Sequence, residues 1–345
     1  MNTPTTTKNS NPVQTFLWLL KREYWEHRGG FFWGPLIAGG VVIAITVLSL
    51  VIAEATAARH GVNLNGMNLD TISHNMTPDQ IATFNSGLTV GLMGLSLPIM
   101  VTLCFVVFFY LLGALYDDRR DRSVLFWKSL PVSDLDTVLS KIAAAVFVAP
   151  LFAIAAVIAL QLAFLVVISV WTGLHGINPL PLLWNPAPLL SMWIKLLLLI
   201  PINALWALPT VGWLLLCSAF ARSKPFLWAV AVPVALGVII GFSHLLQQFS
   251  IPGTWYWRNI VGRILFSLIP GSWLGVGGSG SLNALTTGDN VNFPFNKADF
   301  IESVLGWDRM LGALTSADLW IGVAAGAGLI VAAIYFRRQR IETSV

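Results

Sequence analysis

Residues 115–134, LYDDRRDRSVLFWKSLPVSD, gather the groups of this chain that could act on a partner. Seven of the twelve residues from Asp117 to Lys128 are charged, against 10% of the 345-residue chain. Arg119, Arg120, Asp121 and Arg122 sit in a nearly charge-balanced run, and Val124, Leu125, Phe126 and Trp127 follow directly behind it. The chemistry this suits is recognition. Aromatic anchors flanked by charges compose a docking knob, with the apolar tip in a pocket and the charges at its rim. The other reading is that the cluster dips into a membrane interface. Pro131 stops any helix before it, and Ser133-Asp134-Leu135-Asp136 offers an S-x-x-D start for the helix that follows.

Catalytic patterns are missing from the sequence. It holds no Walker A, HExxH or GxSxG motif, and His27, His60, His74, His175 and His244 lack ligand spacing. Cys104 and Cys217 lie inside apolar runs, where cysteine is a small filler. The expectation is a chain that is not itself an enzyme and carries no cofactor or metal. Lys195, in SMWIKLLLLIP, is a basic residue inside the fourth apolar run. Its leading reading is a stem lifting its ammonium to the membrane surface, with a contact to an anionic substrate as the alternative. Gly237/Gly241 and Gly322/Gly326 form two GxxxG pairs that let helix backbones approach closely, within the chain or across a dimer.

The elements that must position these residues are membrane spans. Hydrophobic residues make up 56% of the chain, and the mean hydropathy is +0.75. Several apolar runs exceed the roughly 18 residues that mark a spanning helix. The fold class expected is all-α and polytopic, with spans at about 34–54, 88–115, 140–170, 189–220, 226–246 and 319–336. Pro150, Pro201, Pro209 and Pro233 fall inside these runs and predict kinks. A charged loop covers about 116–139 and a long loop about 247–318.

Residues 1–33 form an N-terminal unit before the six-span domain of 34–345. Its Phe16, Leu17, Leu20 and Tyr24 make a helical stripe, with Lys21, Arg22, Glu23 and Glu26 on the other faces. This predicts a helix in the headgroup layer, the alternative being a solvated extension of the first span. In the long loop, Trp257, Ile260, Val261, Ile264, Leu265 and Leu268 recur at helical spacing, with Arg258, Asn259 and Arg263 on the polar face. That helix is too short to cross, so it either lies on the outer surface or re-enters the membrane. PGSWLGVGGSGS after it reads as a flexible loop. No cleavable signal peptide is seen before the first apolar run.

With the N-terminus inside, cytoplasmic segments hold 14 basic residues against five in the outer ones. Both termini and the charged loop are then cytoplasmic by the positive-inside rule. The net charge of +4 and pI near 9.2 record that sidedness and give no reason to expect nucleic acid.

Six spans, an N-terminal interfacial helix, a charged loop between spans two and three, and short helices between five and six resemble a type-2 ABC transporter permease. The specific part is the loop: Asp117–Arg122, Val124–Trp127, Pro131-Val132-Ser133 and a lysine, Lys141, opening the third span. DRSVLFWKSLP departs from the family's commoner glutamate-led stretch before a Leu-Leu pair. The resemblance implies that Arg119–Arg122 and Val124–Trp127 couple to a separate ATPase. It also implies two ATPase copies, a second permease copy or a similar chain, and ATP and magnesium bound on the partner. Export across a bacterial inner membrane is the function implied. A non-transporting membrane protein, such as an anchor, immunity factor or sensor, is the alternative.

Overall fold

The computed structural model describes residues 12–60, 77–121, 133–176, 178, 180–184, 186–245, 253–272 and 306–342. Among these residues every regular element is helical, and six helices are long and apolar enough to cross a membrane. The protein is an all-α polytopic membrane protein. The charged-loop residues Arg122, Val124, Leu125, Phe126 and Trp127 lie outside the described residues, as does most of the glycine-rich stretch after Pro270.

Helix α1 (Pro12–Arg28) bends at His27 (φ −109°, ψ 17°), and a π-helical turn, Gly29–Trp33, joins it to span one, α2 (Gly34–Arg59). Span two is α3 (Pro78–Ala114), continued by the short α4 (Tyr116–Arg120). Span three is α5 (Asp134–Ala143), a π turn at Ala144–Val148, and α6 (Ala149–Leu174). A single turn, α7 (Leu180–Leu183), precedes span four, α8 (Pro186–Phe220). Span five is α9 (Pro225–Leu245). Then come α10 (Gly253–Tyr256), a π turn at Trp257–Val261, α11 (Gly262–Phe266), and α12 (Trp307–Thr315). Span six is α13 (Ala317–Glu342).

Several helices run past the apolar runs, because backbone caps rather than hydropathy end them. Span two begins at Pro78: Thr77 and Gln80 form a reciprocal capping box, with Pro78 pre-set for the first turn. Span three begins at Asp134, and the expected cap is present. Ser133 Oγ accepts from Asp136 N at 3.0 Å and donates to the Asp136 carboxylate at 2.7 Å. Prolines 98, 201, 209 and 233 lie inside continuous helices. Pro150 follows directly on the π turn that ends at Val148, where the wider turn gives room for the proline ring and the missing N–H.

Spans two and four are the centre of the bundle: α3 packs on α2, α6 and α8, and α8 packs most extensively on α13. A lipid bilayer gives helices no hydrophobic drive to associate, so close backbone approach and polar contacts hold them. Both occur. Gly326 faces α8 within the same chain, where a Cβ would fall 2.5 Å from the Leu208 backbone, and Gly322 faces the Arg263 guanidinium and the Pro209 ring. Between spans two, three and four, the fully buried Gln161 donates to Leu92 O (3.2 Å) and Ser96 Oγ (3.0 Å), and its carbonyl accepts from Trp193 Nε1 (2.8 Å).

The helix after span five re-enters the bundle. Thr210 Oγ1 donates to Arg263 O at 2.8 Å, Cys104 Sγ lies 3.8 Å from Leu268 O, and Tyr256 Oη donates to Pro233 O at 3.1 Å. At 1.5 Å per residue, these partners lie about 12–15 Å inside the ends of α8, α3 and α9. These contacts set the helix against spans two, four and five, the packing that the re-entrant placement requires.

The register of that helix differs from the expected one. Tyr256, Val261, Arg263, Ser267 and Leu268 are buried, while Trp257 is exposed and Arg263, assigned to the polar face, is inside. The π turn at Trp257–Val261 is the cause: its wider winding rotates everything after it out of the 3.6-residue stripe.

Candidate functional site at the charged end of the bundle

The charged loop leaves α4 at Arg120 and returns at Ser133, so the described residues on its two flanks are the place to look for its attachments. On the outgoing flank, Asp118 points at Lys141, which stands two turns into span three. Lys141 Nζ is buried and lies 3.2 Å from Glu23 Oε1 and 3.6 Å from Asp118 Oδ2. Glu23, on α1, is fully buried. Its carboxylate also accepts from Arg22 Nη2 and, at 2.9 Å, from the Tyr110 hydroxyl of span two. Two cations, two carboxylates and one phenol therefore join α1, the end of span two and the start of span three. His27 and Phe31 close one side by packing edge-on against the Tyr110 ring at 4.6 and 5.0 Å.

This corrects the reading of Glu23 as a residue on a polar outer face. Its position one turn from Leu19 and one from His27 puts it on the buried face, and burial is tolerated because its charge is matched within hydrogen-bond reach. Phe16, Leu20 and Tyr24 of the expected membrane stripe are half-buried against the protein, Tyr24 stacking on Phe152 at 4.9 Å, whereas Leu17 is exposed. Glu23, Glu26 and His27 could place ligand atoms within 4.8 Å of one another, but the Glu23 oxygens already face Lys141, Arg22 and Tyr110.

Arg119 anchors a third helix. Its guanidinium donates to Ser218 O (2.6 Å) and Ala221 O (3.0 Å), carbonyls at the end of span four. A helix C-terminus carries partial negative charge and unsatisfied carbonyls, so an arginine there is a cap. Ser218 Oγ in turn accepts from the backbone N–H groups of Leu115 (3.0 Å) and Tyr116 (2.9 Å), where span two passes into α4. Arg120 and Asp121 are exposed and pair with each other at 3.2 Å, with Asp117 3.7 Å from Arg120. Of the described residues assigned to coupling, then, Arg119 ties the loop's outgoing flank to span four, and Arg120 and Asp121 are at the surface.

On the returning flank, Asp134 lies 3.4 Å from Arg337 and 3.8 Å from Arg338, at the end of span six. Arg337 is buried and Arg338 is exposed. The two flanks of the loop are thus fastened by charge to α1 and to spans three, four and six. The same contacts place α1, both flanks, the four-to-five turn and the end of span six at one end of the bundle.

The remaining candidates lie elsewhere. Lys195 is half-buried on span four, with its ammonium 6.0 Å from the Trp307 ring of α12. Gly237 is an internal packing position, where a Cβ would meet Trp257 at 2.9 Å, while Gly241 faces open space. Two features were missed in the sequence. One is α12, whose Trp307, Met310, Leu311 and Leu314 follow the i, i+3, i+4, i+7 spacing that reveals an amphipathic helix. The other is the setting of Arg263: its guanidinium lies 3.5 Å from the Trp206 ring centre and donates to Asp318 O at 3.0 Å.

Comparison with family models, curated proteins and solved structures finds no match to this chain. The fold and the site define its class as a helical polytopic membrane protein with a doubly anchored charged loop at one end.

Proposed function

We propose that this chain is the permease subunit of an ATP-driven exporter, paired with a second permease and working on two separate ABC ATPase subunits. The observation that carries the reading is the attachment of the charged loop. Its outgoing flank is held through Asp118, Lys141 and Glu23 to α1 and span three, and through Arg119 to span four. Its returning flank is held through Asp134 to span six. A partner that moves this loop moves five helices together, which is what a membrane subunit driven from outside the bilayer requires. The loop's wording, with its resemblance to the coupling segment of type-2 permeases, points to an ATPase as that partner. ATP and magnesium belong to the ATPase in this scheme, and this chain contributes no catalytic group.

Coexpression with candidate ATPases, followed by purification in mild detergent, tests the proposal. The expected result is a stable complex that hydrolyses ATP, and a partner lacking its catalytic carboxylate should trap the complex in a distinct conformation. A chain that retains no nucleotide-binding subunit would favour the anchor, immunity-factor or sensor reading.

The sidedness part of the proposal puts the charged end in the cytoplasm, supported by the excess of basic residues there. In a background without Cys104 and Cys217, single cysteines near Asn68 and Ser279 should react with an impermeant thiol reagent in intact cells. A cysteine at Ser123 should react only after the membrane is opened. Labelling of Ser123 from outside would overturn both the orientation and the coupling role.

A further inference from the structure

Once the buried face of α1 is known, its opposite face has an unexpected composition. Trp18, Lys21 and Trp25 follow at i, i+3 and i+7, and Arg28 joins them beyond the bend at His27. Trp18 is 67% and Trp25 55% exposed, and Lys21 and Arg28 are exposed too. The Lys21 ammonium lies 5.0 Å from the Trp18 ring and the Arg28 guanidinium 5.8 Å from the Trp25 ring. Neither cation has a carboxylate within ion-pair distance among the described residues; Glu23 and Glu26 are engaged by Arg22. We infer that this stripe is a binding face for the phosphate headgroups of anionic phospholipids.

The depth of α1 argues for a lipid occupant. Tyr24 stacks on Phe152, and Phe32 meets the same ring edge-on at 5.9 Å. Phe152 stands 22 residues before Leu174, the end of α6, which is about 33 Å of helix. The hydrocarbon core is about 30 Å thick, so Phe152 marks its edge and α1 lies in the headgroup layer.

The composition argues for the anionic class. Indole rings belong in that layer because they are apolar bodies with a polar edge. A zwitterionic headgroup satisfies the rings but brings its own cation, whereas two unpaired basic groups favour a net negative phosphate. Each tryptophan beside its cation holds that charge at the surface, where it meets phosphate without being drawn into hydrocarbon. The inference rests on the membrane fold and is independent of the permease reading.

The test uses the full chain in mild detergent, with equal amounts of phosphatidylglycerol and phosphatidylcholine added and retained lipid counted by native mass spectrometry. Phosphatidylglycerol should be retained in preference. Since a basic residue near an anionic surface is worth about fivefold in binding, Lys21→Gln with Arg28→Gln should cut that preference by roughly 30-fold. The folded state should survive, because both side chains are exposed. Arg222→Gln, an exposed change at the same end, should leave the preference intact.

Equal retention of the two lipids would overturn the inference, as would an Arg222→Gln effect equal to that of the stripe. Glycerol phosphate alone competing as well as the lipid would reassign the stripe to soluble anions. Loss of a dimer, rather than of lipid, in the double variant would reassign it to a second copy of the chain.

Discussion

Lys141→Met is expected to loosen the charged end of the protein by about 3–5 kcal/mol, the cost of removing one partner from a buried ion pair. The lysine sits between Glu23 and Asp118, and both carboxylates stay behind when it goes. Arg22 remains on Glu23, but it approaches from the same helix and cannot replace the bond to span three. The expected outcome is a lowered thermal transition in detergent and faster amide exchange over residues 12–28, with spans four to six little changed. Combining Lys141→Met with Glu23→Gln should restore much of the loss, because the stranded charge on α1 is removed with its partner. Equal stability of Lys141→Met and the parent would mean that water reaches the cluster freely and that it holds nothing together.

That cluster also shows where the sequence stops being readable. The spans were legible because twenty apolar residues in a row leave a chain few alternatives, and Ser133 was legible because a cap involves neighbours three residues apart. Gly322 and Gly326 were legible for the same local reason. Glu23 was not, since its partner Lys141 is 118 residues away and a helical wheel assigns any carboxylate to the wet side. The start of span two was obscured by Asp79, Gln80 and Asn85, which lower hydropathy without breaking a helix that Thr77 has capped. Arg263 was misplaced because the stripe was read at 3.6 residues per turn through a π turn that does not keep that pitch. In each case the deciding term was a distant charge, a cap or a backbone irregularity, none of which a composition window records.

The proposed coupling role places the other large expectation on Phe126 and Trp127. Trp127→Ala and Phe126→Ala should each weaken ATPase binding by about 2 kcal/mol or more, roughly 30-fold, while the protein still inserts and folds. Burying a large apolar side chain is worth roughly 1.5–3 kcal/mol, and that area is what the tip would bring to an ATPase groove.

Among the described residues, the charges beside it divide into two groups that the structure separates. Arg120 is 62% exposed and already paired with Asp121 and Asp117. Surface pairs of that kind are worth roughly 0–1 kcal/mol, so Arg120→Ala should cost little. Arg122, read from the sequence as a rim charge of the tip, should also cost little when changed to alanine, and less still at high salt. Arg119→Ala is different: it uncaps span four at Ser218 and Ala221, so its effect should appear in the thermal stability of the isolated chain before any partner is added. Binding isotherms for the five variants, with stability measured in parallel, tell these roles apart. If Arg120→Ala and Arg122→Ala abolish binding while Trp127→Ala and Phe126→Ala are silent, the tip rests in the lipid interface. The partner would then recognise the loop by charge alone.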